Sequence, residues 1–124
     1  MSNILYKEES YSIIGCLFDV YNHLGSGFSE IVYKDALQIE LKAKGISFER
    51  EKQYSVIYKG HVLNHKFYAD FVIENKIILE IKSIEAINDK HVGQCINYLK
   101  VSGCRLAILA NFQKDLLDHK RIVL

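Results

Sequence analysis

The sequence predicts an α/β fold with a mixed central sheet. Three observations carry that expectation. Residues from about 6 to 24 set Tyr11, Ile14, Phe18 and Tyr21 at spacings of three and four, the periodicity of a helix. Residues 67–82 form two apolar runs around the polar break Glu74-Asn75-Lys76, which reads as a β-hairpin. The second of those runs is followed by a helical segment and then by the buried-type run Cys-Arg-Leu-Ala-Ile-Leu-Ala at 104–110. Strand, helix and strand make one βαβ unit with a right-handed crossover.

The remaining elements follow from local signals. Gly25-Ser26-Gly27 ends the first helix, Ser29 caps a second, and Gly45 stops it. Residues 53–59 and 61–73 read as strands joined by a turn at Lys59-Gly60. Asn75 suits a left-handed turn residue in the hairpin loop. Asn88 caps a helix running to about Val101, and Ser102-Gly103 stops it. A short polar helix and a last strand, Arg121 to Leu124, close the chain. The expected order is α-α-β-β-β-α-β with a tail, in a single domain over residues 1–124, without repeats or linkers.

The 124 residues are enough for one domain with a real core and too few for two. A formal net charge of +1 excludes a globally basic nucleic-acid binder, so any basic groove must be local. Cys16, Cys95 and Cys104 are odd in number and lack C-x-x-C spacing, which argues against a disulfide scaffold or a structural zinc site. A reducing cytoplasm is the expected compartment. No signal-peptide pattern and no apolar run of membrane-spanning length occur in the sequence. Proline is absent, so turns depend on Gly, Asn and Asp.

Asp70, Glu80 and Lys82 are the chemically informative residues. They stand where a plain core strand would carry Val or Ile, and an unpartnered buried charge is expensive. A three-residue loop sets Asp70 opposite Glu80, with Lys82 two residues on. Strict alternation then puts Tyr68, Val72 and Ile78 on the same face as these three. Phe67, Ala69, Phe71, Ile73, Ile77, Leu79 and Ile81 fall on the other. A two-residue loop would send the two acids to opposite faces. The economical reason for the cluster is a divalent metal held by the two carboxylates, with a lysine beside it.

Two helices offer further polar groups. Glu30 shares a helical face with Tyr33, Leu37 and Leu41. It is either a first-turn acid favoured by the helix dipole or an extra metal ligand, direct or through water. His91, Gln94 and Tyr98 share a face of the later helix. They either form a partly solvated stripe, or Gln94 and Tyr98 touch the phosphate backbone or order the lysine. Glu49-Arg50-Glu51-Lys52 reads as a solvated charge run, His65-Lys66 as an exposed strand end, Asn111 as the start of a turn, and the cysteines as core thiols. No Gly-rich phosphate loop, Ser-His-Asp set or His-rich metal box is present.

Asp70 followed by Glu80-Ile81-Lys82, on a hairpin inside this order of elements, resembles the PD-(D/E)XK nuclease superfamily. Gly27-Phe28-Ser29-Glu30-Ile31-Val32-Tyr33 matches the motif that names the GxxExxY proteins. His23 to Phe28, Gln94 with Tyr98-Leu99, and Asn111-Phe112 agree with that setting. The superfamily's proline before the first acid is Ala69 here. The resemblance implies a restriction-endonuclease-like core. It implies that Asp70, Glu80 and the backbone carbonyl of Ile81 ligate Mg²⁺ or Mn²⁺. Lys82 would position or activate the attacking water, Glu30 would supply an outer carboxylate, and Gln94 and Tyr98 would bear on the lysine or the substrate. The expected function is a metal-dependent nuclease acting on nucleic acid, with DNA as the expected substrate and a homodimer as one way to reach both strands. The alternatives are a binding module that keeps the fold without turnover, and an α/β protein whose three charges form a buried ion network.

Overall fold

Strand alternation sorts the apolar side chains of one sheet into two packed layers in the computed structural model, which describes residues 4–113 and 115–124. Helices α1 (Lys7–Leu24) and α2 (Glu30–Ala43) come first, then strands β1 (Phe48–Tyr58), β2 (His61–Ile73) and β3 (Ile77–Lys82). Helix α3 (Asp89–Ser102) crosses over to β4 (Leu106–Asn111), and β5 (Asp118–Val123) ends the fold. The sheet order is β1-β2-β3-β4-β5. Only β3 and β4 are parallel, as the crossover requires, so the sheet is mixed.

The hairpin has the odd loop. Phe71 pairs with Leu79, Val72 with Ile78 and Ile73 with Ile77. Glu74 and Asn75 both take left-handed φ, 55° and 56°, and Lys76 N–H donates to the Ile73 carbonyl at 2.9 Å. On one side, Phe71, Ile73, Ile77, Leu79 and Ile81 pack with Ile13, Leu17, Leu37 and Leu41 of α1 and α2. On the other, Val72, Ile78, Ala107 and Leu109 pack with Cys95, Tyr98 and Leu99 of α3. The Asn88 cap forms as a capping box, its side chain accepting from Lys90 and His91 N–H while His91 Nδ1 accepts from Asn88 N–H. Gly103 ends α3 at φ 76°.

Three strand starts, one helix and one cap differ from the expectation. β1 starts at Phe48 rather than 53, because the charges at 49–52 are met by partners: Arg50 pairs with Asp35 and bonds Gln38 on α2, and Lys52 pairs with Glu49. They are strand residues, not a free charge run. β4 starts at Leu106 rather than 104, since Cys104 N–H is drawn into the turn by Ser102 Oγ. The described residues between β4 and β5 form no helix (Lys114 lies outside them), and β5 begins earlier, at Asp118. Ser29 precedes α2 in extended conformation but makes no side-chain cap bond. No helix among the described residues is long and apolar enough to cross a membrane.

Candidate active site

The regular alternation of β2 breaks at Asp70. Phe71 faces α1 and α2, yet Ala69 and Phe67 pack on the α3 side, so strict alternation misplaces these two residues. The same break lies across the ladder in β1. Arg50 pairs with Phe71 and Lys52 with Ala69, and between them Glu51 has a left-handed φ of 54°. A non-glycine residue in that region marks a local constraint. Here the constraint is Lys34 of α2, whose ammonium binds Glu51 and, at 2.9 Å, Asp70.

On its other edge, β2 parts from β3 at the same residue. Beyond Phe71–Leu79 the backbone ladder gives way to an exchange through side chains. Asp70 N–H donates to Glu80 Oε2 at 2.7 Å, and Ile81 N–H donates to Asp70 Oδ2 at 2.8 Å. The two acids therefore meet in the gap between the strands, rather than standing side by side on one face as alternation alone suggests. Each satisfies a backbone donor that the splayed ladder would leave unpaired.

Glu80 is only 3% exposed. Burial, and next the charge of Asp70, push its carboxyl up to about 8; the Asp70 N–H bond and the charges of Lys82 and Lys34 pull the other way. A buried carboxyl held that high stores a demand for positive charge. Lys82 ends β3, and its side chain makes no hydrogen bond or ion pair among the described residues, so the ammonium is free to act beyond Glu80. Lys34 is the opposite case. Its burial disfavours the charge, but the bonds to Glu51 and Asp70 outweigh this and raise its proton affinity.

Two devices hold Lys82 and Glu30 at the same end of the sheet. Tyr33 stacks on Phe112 with ring centroids 4.3 Å apart, and its hydroxyl donates to the Gly25 carbonyl at 2.7 Å and accepts from Phe28 N–H at 3.2 Å. Gly27 takes φ 104° in that loop, where a side chain would be strained. Ser83, next to Lys82, donates its hydroxyl to the Phe28 carbonyl at 3.0 Å. The segment ahead of Glu30 is thus tied directly to the end of β3. Glu30 opens α2, its side chain unbonded among the described residues, one turn from Lys34. Asn111 is the second device. It is buried at the end of β4, accepts from Ile84 N–H and donates to the Ile84 carbonyl, both at 3.0 Å, while Phe112 N–H donates to the Lys82 carbonyl at 2.9 Å.

Tyr98 is buried, and its hydroxyl donates to the Tyr68 carbonyl at 3.0 Å, two residues before Asp70. Burial first, then the charges of Glu80 and Asp70, keep the phenol protonated. It orders β2 from within. Gln94, one turn earlier on α3, is exposed, and His91 is taken up by the cap of its own helix. Lys34 has no role in the sequence reading, Glu51 stands there only in a solvated charge run, and Asn111 only as a turn start and, with Phe112, in the family resemblance. For Lys34 a signal was available: it stands four residues after Glu30, on the edge of the helical face that meets the sheet.

No group of three His, Cys, Asp or Glu among the described residues could enclose a metal by itself. The donors that do converge are oxygens, and a hard cation such as Mg²⁺ takes one or two carboxylates and keeps several waters. Asp70 and Glu80, with high proton demand at Glu80, fit that need. Lys34 now supplies part of the charge such a cation would bring. Lys34→Met is accordingly expected to destabilise the metal-free protein by about 2 kcal/mol, since it leaves Asp70 and Glu51 without their cation, lowering Tm by roughly 5–10 °C. Thermal melts should show Mn²⁺ recovering part of that loss.

Comparison with known proteins bears on the fold and the family. Among solved structures, the crystal structure of SSO0001 has a TM-score of 0.63 and 23% identity, covering 94% of this chain and 58% of that one. The chain thus spans little more than half the length of that protein, and the likeness concerns the fold. No curated protein matches. The PD-(D/E)XK nuclease superfamily matches over residues 7–122, from the start of α1 into β5. A restriction-endonuclease-like sheet, with two acids and a lysine where its central strands part, belongs to a member of that superfamily, and this chain is one.

Proposed function

We propose that residues 1–124 form one nuclease domain of the GxxExxY kind, which hydrolyses phosphodiester bonds in DNA with Mg²⁺ or Mn²⁺. The observation that carries this reading is the exchange at the parted strands: Asp70 and Glu80 each hold the other's neighbourhood in place, and an uncommitted Lys82 ammonium stands beside them. Asp70, Glu80 and the Ile81 carbonyl would hold the ion. When bound, a divalent cation withdraws charge from the scissile phosphate and helps align water.

The chain's own residues do the rest. Lys82 orients the attacking water and steadies charge building on the phosphate oxygens, which a compact ammonium on a flexible stem suits. Glu30, carried to the end of β3 by the Phe28–Ser83 bond, supplies the outer carboxylate. Tyr98 positions β2 through Tyr68, and Gln94, exposed on the same helix, is left to meet the substrate backbone. Two copies acting as a dimer would reach both strands of a duplex. Three free cysteines suit work in a reducing cytoplasm.

One observation favours a second reading. Lys34 on Asp70 makes a closed ion network conceivable without any metal, in a module that binds but does not cut. The test is incubation of the purified protein with labelled DNA and with the matching RNA, with Mg²⁺, with Mn²⁺ and with EDTA. Cleavage of DNA that needs the cation is expected. Binding without cleavage under every cation condition would favour the module, and cleavage of RNA alone would correct the substrate.

A further inference from the structure

The distal half of the β1–β2 hairpin does no work in the site just described, yet its composition is unlike that of the rest of the chain. From Lys52 to Ala69 there is no Asp or Glu, while Lys52, Lys59, Lys66, His61 and His65 all occur there. The whole chain carries only +1, so the remainder is net acidic. This is the local basic surface that near-neutral overall charge leaves room for.

The ribbon also has one uncovered face. Gln53 pairs with Tyr68, Ser55 with Lys66, and Ile57 with Val62 beyond a bulge. Lys66 Nζ donates to Ser55 Oγ at 3.2 Å and the Tyr68 hydroxyl lies 3.4 Å from Gln53 Oε1, so these four share that face. The opposite face sends Tyr54 and Phe67 against the α3 layer. On the uncovered face Ile57 is 69% exposed, Val62 59% and Tyr68 49%. Neither Lys59 nor Lys66 is paired with a carboxylate among the described residues; Lys59 lies over the Tyr58 ring and Lys66 also donates to the Leu63 carbonyl at 3.0 Å. The face is continuous with the site, since Tyr68 stands two residues before Asp70 on the same strand.

We propose that this ribbon is a docking arm for duplex DNA, in which Lys59 and Lys66 meet phosphates and Tyr68 leads the strand to Asp70. A two-stranded ribbon is of a size the major groove admits, and phosphates are the natural partners of lysines without acids nearby. The proposal rests on the nuclease reading for its substrate and adds where that substrate lies.

The test measures anisotropy of a fluorescein-labelled DNA duplex against KCl concentration in EDTA, using the full chain. K59A/K66A is expected to weaken binding about tenfold or more at fixed salt and to reduce the log–log salt slope by about 2, roughly one per lost phosphate contact. K7A/K42A, which removes the same charge elsewhere, should keep the parent slope. Mn²⁺ titration of K59A/K66A should match the parent, because the carboxylates are untouched. An arm variant that binds duplex like the parent, in a protein that still cuts DNA, overturns the arm and leaves the nuclease reading standing. Loss of duplex binding in the variant, where the parent binds but cuts nothing with any cation, supports the arm and removes the nuclease reading. A change in the sedimenting mass of the free protein, with duplex affinity unchanged, makes the ribbon a self-association surface and overturns the proposal.

Discussion

Asp70→Asn and Lys82→Ala are each expected to reduce the proposed Mg²⁺-dependent cleavage by on the order of 10²–10⁴-fold. The two variants remove different things. In Asp70→Asn the amide oxygen still accepts the Ile81 N–H bond that Asp70 receives at 2.8 Å, so the parted strands stay joined. What is lost is the proposed anionic ligand and, with it, the anion that Lys34 binds. Lys82→Ala leaves no protein partner stranded, since the ammonium has none among the described residues. Its Tm should stay close to that of the parent while turnover collapses. Steady-state cleavage of a labelled duplex, alongside thermal melts, measures both. Activity within twofold of the parent in both variants would show that these groups do not carry the reaction.

The second large effect is on stability. Glu80 has a folded pKa of about 8 against an ordinary value of 4.5. Between those two values the folded state holds a proton that the unfolded chain has released, so stability falls as pH rises through this window and levels off above it. The full change is on the order of 5 kcal/mol in the metal-free protein. Glu80→Gln keeps a neutral acceptor for the Asp70 N–H bond and removes the titration. The variant should therefore be the more stable protein at pH 8 in EDTA and should show a much flatter profile. Urea unfolding from pH 5 to 8.5 makes the comparison, and the histidines common to both proteins cancel in the difference. Parallel profiles for parent and variant would mean that Glu80 is not held under electrostatic load. Mg²⁺ should narrow that gap, stabilising the parent at high pH and not the variant.

The sequence made the hairpin, its loop and its register legible, because the apolar positions of 71–73 and 77–79 admit one pairing that keeps both layers dry. It also made the α3 cap and stop legible, since Asn88 and Gly103 are local signals with local geometry. The convergence of Asp70 and Glu80 was legible for the same reason. The manner of their meeting was not. Strict alternation through Asp70 puts Phe67, Ala69 and Phe71 on one face, whereas Phe67 and Ala69 belong to the α3 layer and Phe71 to the other. Apolar residues on both sides of an acid fit either layer, so the pattern around Asp70 does not reveal a break. Glu51 was hidden by its neighbours, because four consecutive charges look solvated until a helix lysine is brought across them. Asn111 was hidden by its place at a strand end, where a turn is the ordinary reading. Its two bonds to Ile84 exist only in three dimensions.

The motif residues gain a physical account on the same terms. Tyr33 is not a ligand. Its ring lies on Phe112 and its hydroxyl clasps the loop that turns through Gly25 and Gly27 into α2. The glycine, the acid and the tyrosine of that motif thus form one device, in which the glycine allows the turn, the tyrosine locks it, and the acid is delivered to the end of β3.

Anomalous diffraction from a crystal soaked in Mn²⁺ would locate the cation itself. A single strong peak is expected between β2 and β3, bonded to carboxylate oxygens of Asp70 and Glu80 and to the Ile81 carbonyl, with the Lys34 ammonium drawn back towards Glu51. A saturating soak that leaves that gap without manganese, and Lys34 still seated on Asp70, would contradict it.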